Sequence, residues 1–468
     1  MRLSPLTLAE LSDEECGAGF SLRGTSVPLE RLAGTCGRLA EATPQAEARP
    51  TSRIRRASII ALTLASVAAP GFADDPLLNR GDVKKALAYI EANHSRTLQS
   101  QVTIAEIPAP TFHEAERAKY LVSEFRRVGL ASVEIDKQGN VLGWREGQVK
   151  DTLLLAAHLD ISFAPGVDTR VRKDGARWHG PGLSDDSRGL AAMLSVIEAM
   201  NHAGIKTYQT ILFVANVGEE GLGDLNGVRY LFKDSPYRNR LREFISIDGT
   251  DSARIVTGGT GVKRYRVAVS GPGGHSYGNF GRPSPIHAAG RIIDRLADMA
   301  VPTLPKTTFN VGRIGGGTAV NAIAEECWFE VDLRSEDPGM LDKIELKMFE
   351  AVRVGVAEEN KARAGSQTSL TVATKLVSHR PAGQTPPASP LVQAAQWAAA
   401  ATGHEPVLVF SSTDANIPIS LGIPAITLGG GGKSGNAHSL SEWYEPANAW
   451  KGPQTVLLTI LKFDSRPQ

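Results

Sequence analysis

Strand-like apolar runs alternate with amphipathic helical stretches along the first half of this chain, and that alternation restricts its fold more than any other feature. Residues 153–157 (LLLAA), 210–216 (TILFVAN) and 243–248 (EFISID) read as strands. Residues 188–204 (RGLAAMLSVIEAMNHAG) and a stretch near 225–233 read as helices between them. Upstream, DVKKALAYIEANHSRTLQSQVTIAEI and HEAERAKYLVSEFRRVGL space apolar residues as amphipathic helices do, and ASVEID with NVLGWRE reads as a strand pair turning at Gly139-Asn140. This order predicts an α/β fold with a helix-covered, mostly parallel sheet. At 468 residues the chain is too long for one ordinary core.

The alternation breaks near Gly258. KRYRVAVSG, TTFNVGRIGGG, AEECWFEVDLRS and SLTVATKLV read as strands, with helical stretches PIHAAGRIIDRLADM and MLDKIELKMFEAVRVGVAEEN between them. Two helices with about four mostly antiparallel strands predict a small α+β domain over 260–374. A Pro-rich return segment (HRPAGQTPPASP), a helix, the strand AITLG and a terminal helix then resume the first domain. The expected organisation is a pre-region and secretory signal (1–73), a first domain in two parts (74–259 and 375–468), and the insertion at 260–374.

The signal expectation rests on RIRRASIIALTLASVAAPGFADD. Arg53, Arg55 and Arg56 precede an apolar run from about 57 to 69 and a small-x-small site ending at Ala73. The run is too short to span a bilayer comfortably, so the mature protein is expected to be exported, periplasmic or secreted, with no stable membrane insertion. Removal of 1–73 also removes Cys16 and Cys36 and leaves Cys327 as the one cysteine. An internal disulfide and a thiolate metal cluster are then excluded, so a metal site must use His and carboxylates. The formal net charge is +1, without a basic cluster interleaved with aromatics, which argues against a nucleic-acid role.

Five places put His, Asp or Glu at or just beyond a predicted strand end: His158 with Asp160, Asp185 in GPGLSDDSRG, Glu219-Glu220, Asp248, and His438 in GNAHSLSEW. Singly, each reads most simply as a packed or solvated polar residue. In open α/β sheets, however, the crevice used for function lies at the carboxyl ends of the strands, so loops can gather all five in one cleft.

In this order HLD, GPGLSDDSRG, GEEG, IDGT, GGHS, GGTAVNAIAEE with VDLR, and GNAHS resemble the dinuclear-zinc amidohydrolases that include glutamate carboxypeptidase, peptidase T, the aminoacylases and carnosinase. The resemblance runs from about Ile107 to the C-terminus. It implies a zinc-exopeptidase-like catalytic domain with an inserted lid or dimerisation domain. It also implies two zinc ions, with cobalt or manganese compatible with the same ligand types. His158 and Asp248 would hold one ion, Glu220 and His438 the other, and Asp185 would bridge them. Asp160 would support His158 from behind. Three carboxylates against two divalent ions leave one positive charge, which a bridging hydroxide neutralises. Glu219 is then the surplus carboxylate, suited to carry a proton from the water to the leaving nitrogen.

In the insertion, His275 resembles the family histidine that stabilises the oxyanion, often across a dimer interface. Asn321 and Arg334 match positions that contact substrate, and a surface charge on a strand edge is an equal reading for Arg334. The implied activity is cleavage of the amide bond in a small peptide or N-acyl amino acid, by an exported enzyme that forms a homodimer. Ala324 replaces a usual proline, SDDSRG is one residue longer than the commonest form, and the proline after GGHS comes late. These departures touch the substrate subgroup and remove no ligand.

TLGGGGKS ends like a phosphate-binding loop, but Thr427 stands where its first glycine belongs, and no helical stretch follows. It reads as a loop presenting His438. Two enzyme-class and binding-class alternatives remain: a single-domain-type zinc aminopeptidase, against which the insertion counts, and a periplasmic binding protein without chemistry, against which Glu219 counts. A purely structural metal site is disfavoured by the spare carboxylates.

Overall fold

The computed structural model describes residues 75–465. The expected pre-region and signal therefore lie outside the described residues. Among the described residues no helix is long and apolar enough to cross a membrane.

A nine-stranded sheet forms the larger core. Its path runs Ala131–Ile135, Val141–Arg145, Gln209–Asn216, Val149–His158, Leu241–Ile247, Ala425–Leu428, Arg254–Gly259 and Gly383–Gln384, with Val407–Ser411 also paired to Arg254–Gly259. The four strands from Gln209–Asn216 to Ala425–Leu428 are mutually parallel, and antiparallel pairs lie toward both edges. The apolar run at 153–157 now has its cause. Leu153, Leu155 and Ala157 face one helical layer, whereas Leu154 and Ala156 face the other, so both faces of the strand are buried. The first layer holds helices Gly81–Ala92, Ala115–Arg127, Ser187–Ala203, Pro390–Ala401 and Lys451–Asp464; the second holds Asn226–Lys233 and Asn416–Ser420.

The inserted sheet has four strands in the order Thr307–Gly316, Glu326–Ser335, Gly261–Ser270 and Thr371–Arg380, all antiparallel. Helices Pro285–Ala297 and Pro338–Ala362 cover one face, burying Val267, Val269, Phe329, Val331 and Leu333. The fourth strand carries this sheet past residue 374, and the central sheet resumes at Gly383. The sequence reading passed over Val407–Ser411 and the helix Asn416–Ser420. It also passed over a small sheet of three-residue strands, Arg172–Asp174, Arg177–His179, Lys433–Gly435 and Trp443–Glu445.

The chain passes between the two sheets at residues 260 and 381, and one buried side chain joins both crossings. Asn416 Nδ2 donates to the carbonyls of Thr260 and Pro381, each at 2.9 Å, while its Oδ1 accepts the Thr413 N–H at 3.0 Å. Asn416→Ala removes the side-chain partner of these three backbone groups at a largely buried crossing. The expected loss is about 3 kcal/mol of stability, read as a lowered urea midpoint.

Candidate metal centre and active site

Three adjacent strands of the central sheet end side by side. Val149–His158 ends on His158, Leu241–Ile247 stops one residue before Asp248, and Gln209–Asn216 leads into Glu219-Glu220. The loop before helix Ser187–Ala203 brings Asp185, and the loop after strand Lys433–Gly435 brings His438.

The ligating atoms of His158, Asp185 and Asp248 lie within 4.8 Å of one another, as do those of Asp185, Glu220 and His438. Asp185 belongs to both groups, one oxygen for each. Its Oδ1 lies 3.0 Å from His158 Nε2 and its Oδ2 lies 3.1 Å from His438 Nε2, which is also 2.9 Å from Glu220 Oε1. The structure thus brings together all five residues expected as ligands, and a third such group, His158 with Glu219 and Glu220, lies beside these two.

The electrostatics of this cluster call for cations. Burial, with Asp185 alongside, pushes Asp248 up to about 7. Hydrogen bonds to Asp185 and Glu220 push His438 up to about 11. Burial opposes ionisation of Asp185, yet the two imidazoles hold it below the usual carboxylate range. In effect protons on histidines neutralise the crowded carboxylates. Metal ions offer the same compensation with higher charge, and a His and carboxylate donor set suits borderline divalent ions. The residues present fit two such ions.

Buried carboxylates hold the loops that carry these groups. Asp160 accepts the Glu219 N–H on Oδ1 and the Glu220 N–H and the Thr111 hydroxyl on Oδ2, all at 2.9 Å. His158 Nδ1 donates to the Asp160 main-chain carbonyl at 3.0 Å, with Oδ1 at 3.4 Å. A carbonyl can only accept, so Nδ1 carries a proton whether or not Nε2 does, and Nε2 is the nitrogen that faces Asp185. The support expected from Asp160 runs chiefly through its carbonyl, while its carboxylate shapes the Glu219-Glu220 turn. Asp186 accepts the His158 N–H at 3.2 Å and caps the helix through Gly189 N–H at 3.0 Å. Glu442 accepts from Gly182 N–H, Ser184 N–H and the Ser184 hydroxyl at 2.7–2.9 Å, fastening the His438 loop to the Asp185 loop.

The glycine loop is structural. Gly430 and Gly431 donate their N–H groups to the Gly249 and Thr250 carbonyls, so they are not turned toward a phosphate. At Gly431 (φ +93°) a Cβ would meet the Ala449 carbonyl oxygen at 2.2 Å. Arg188, fully buried, donates to the Gly430 carbonyl at 2.7 Å and to Ala449 at 2.6 Å.

A cavity of about 670 Å³ lies over the cluster and is lined by Asp185, Glu219, Glu220, Asp248 and His438 together with Arg264, Arg334 and Arg380. Burial raises the Glu219 carboxyl well above the ordinary range, against the pull of Arg380. Arg380, the last residue of the fourth inserted strand, donates Nη1 to Glu219 Oε1 and to Ser412 Oγ, each at 3.0 Å, and Nη2 to the Glu219 carbonyl. Arg334 reaches the cavity, with Nε donating to Asp332 at 2.7 Å. His275 and Asn321 do not line it. His275 stands exposed on the segment Gly274–His275 and Asn321 stands exposed just before its partner Ala322–Ile323, where Ser276 N–H donates to the Asn321 carbonyl at 2.9 Å.

Sequence reasoning missed Arg380, Glu442 and Arg188 as parts of the site. Glu442 had one signal, an acidic residue four after His438 and beside an aromatic. Arg380 had only its place in a Pro-rich return segment.

An α/β sheet with clustered His and carboxylate groups at its strand ends, interrupted by an inserted α+β domain, has the build of a metal-dependent hydrolase. Residues 154–462 match the family described as peptidase family M20/M25/M40, and the chain belongs to it. YqjE of Bacillus subtilis is 28% identical over 359 residues, covering 72% of this chain and 90% of that protein. The crystal structure of aminopeptidase PepT from Bacillus cereus superimposes with a TM-score of 0.65 at 22% identity, over 79% of this chain and 99% of that one. YXEP of Bacillus subtilis, described as a dinuclear metal binding peptidase of the M20 family, gives 0.59 at 17%, over 80% and 100%.

Asp160→Ala leaves two buried N–H groups without acceptors in the Glu219-Glu220 turn. The expected result is metal affinity weakened about 10–100-fold, measured by competition with a chromogenic chelator.

Proposed function

We propose that this chain is an exported, dinuclear zinc hydrolase that cleaves the amide bond of small peptides or N-acyl amino acids. The observation that carries the reading is Asp185, whose two oxygens address two separate His and carboxylate groups. His158 and Asp248 would hold one ion and Glu220 and His438 the other, with cobalt or manganese suited to the same donors. Such ions supply Lewis-acid polarisation of the scissile carbonyl and a water acidic enough to react at neutral pH.

The chain's own groups do the rest. Glu219 takes the proton of the attacking water and returns it to the leaving nitrogen. Arg380 fixes Oε1 of that carboxylate and its main-chain carbonyl, and among the described residues nothing donates to Oε2. Arg334 suits a substrate carboxylate at the cavity wall. The His275 ring accepts the Tyr277 and Gly278 N–H groups on Nδ1, at 3.2 and 3.3 Å, which leaves the proton of the neutral ring on Nε2 as a donor for an oxyanion.

The position of His275 outside the cavity supports a homodimer in which each subunit completes the other's site. Fully exposed Val320, next to Asn321, and exposed Tyr277 give that surface an apolar rim. Export is supported by the segment ending at Ala73, and N-terminal sequencing of protein recovered outside the cytoplasm is expected to begin at Asp74.

Metal-loaded protein is expected to release products from a pool of dipeptides, tripeptides and N-acyl amino acids, read by mass spectrometry. Glu219→Gln should retain two metal equivalents and lose the products by at least about 100-fold. Cleavage that persists in Glu219→Gln overturns the mechanism. No cleavage by wild type with both ions bound favours a binding protein. Arg380→Ala should lower kcat at least about tenfold with KM within a factor of a few, partly restored by added guanidinium.

A further inference from the structure

The face of the inserted sheet that its helices leave uncovered is strongly basic, and its charges repeat. On strand Glu326–Ser335, Asp332 and Glu330 point to that face two residues apart, and each carboxylate lies between two arginines. Asp332 accepts from Arg264 Nε at 2.8 Å and Arg334 Nε at 2.7 Å. Glu330 accepts from Arg266 Nη1 at 3.2 Å and Arg313 Nη1 at 3.0 Å. Each triad keeps one net positive charge. Lys375 stands directly opposite Arg266 in the strand register, a like-charge pair that costs stability in a bare sheet. The guanidinium of Arg266 stacks over the Trp328 ring at 3.8 Å, and that of Arg313 lies 5.5 Å from it.

Ordinary cross-strand ion pairing explains two carboxylates with two partners; it does not explain five cations. Position supplies the reason. The first triad adjoins the metal cavity, which Arg264 and Arg334 line. A second cavity of about 530 Å³ continues from it through Phe112, Leu222 and Arg264, and reaches Arg313, Glu330, Asp332 and Lys375. Exposed Phe112 and Leu222 form its opposite, apolar wall. Phe112 has φ +73°, a left-handed backbone that an aromatic residue adopts only where its surroundings impose it.

We propose that this face is an anion-binding extension of the active site, which selects extended acidic peptides or acyl groups carrying at least two carboxylates. In an extended chain, side chains two residues apart share a face and lie about 6.6–6.8 Å apart. The two triads, themselves two residues apart on one strand, present positive charge at the same interval. One substrate carboxylate binds at Arg264 and Arg334 beside the metals. The next binds at Arg266, Arg313 and Lys375, and apolar parts pack on Phe112 and Leu222. The charge is solvent-accessible, so its contribution falls as salt rises. This assignment of substrate class rests on the hydrolase reading, but its test does not use catalysis.

The test measures binding to the full chain, zinc-loaded and carrying Glu219→Gln so that peptides are not consumed. Fluorescein-labelled Glu-Ala-Glu-Ala-Glu and Gln-Ala-Gln-Ala-Gln are titrated by anisotropy at low and high salt. At low salt the acidic peptide is expected to bind at least about tenfold tighter, a preference that shrinks at high salt. Arg266→Ala with Arg313→Ala should remove most of that preference while leaving affinity for the glutamine peptide unchanged, which also shows that the variant is folded. Equal binding of the two peptides, or a preference intact in the double variant, overturns the proposal. Absence of cleavage by the wild-type enzyme would strike the hydrolase reading and leave this result standing.

Discussion

Asp160 is the constraint on which the rest of the site depends. Its carboxylate is buried beneath the cluster, where an uncompensated charge would cost several kcal/mol. The His158 imidazole, followed by the N–H groups of Glu220 and Glu219, holds it below the usual carboxylate range against burial, and the Thr111 hydroxyl also donates to it. The same bonds fix the turn that carries a proposed ligand and the proposed base. Its main-chain carbonyl fixes the ring of His158. One residue therefore couples two neighbouring strand ends, and Asp186 and Glu442 repeat the device for the loops of Asp185 and His438. The site is assembled by acidic side chains accepting backbone N–H groups that loops otherwise leave unpaired.

The inserted domain is coupled to this arrangement through few contacts of high consequence. Asn416 clamps both crossings, and Arg380, at the end of the last inserted strand, grips Glu219 by side chain and main chain. A displacement of the insertion therefore reaches the proposed base directly. Arg334 and Arg264 enter the cavity from the same sheet, so substrate contacts and base orientation share one frame.

Legibility in the sequence followed the range of each interaction. Strands buried on both faces announce themselves as apolar runs; His158 ends one, Asp248 directly follows another and Glu220 comes four residues after a third, so order along the chain exposed them. The inserted domain was legible because its strands alternate and its helices are amphipathic. Arg380, Glu442 and Arg188 were not, because each acts on a partner more than 150 residues away and nothing local marks it. Three-residue strands such as Arg177–His179 carry no period to detect. Val407–Ser411 does contain an apolar run, VLVF, but four residues are too few to show a strand's period and the run went unread. His275 and Asn321 matched their motifs, yet a single chain holds them outside the cavity, a fact that no residue pattern within one chain encodes.

The central claim is that two ions share Asp185. Crystals of the full chain grown with zinc, with diffraction recorded on both sides of the zinc absorption edge, test it most directly. The account predicts two anomalous peaks. One lies against His158, Asp185 and Asp248, the other against Asp185, Glu220 and His438. A single peak, or two peaks of which one does not touch Asp185, would contradict it.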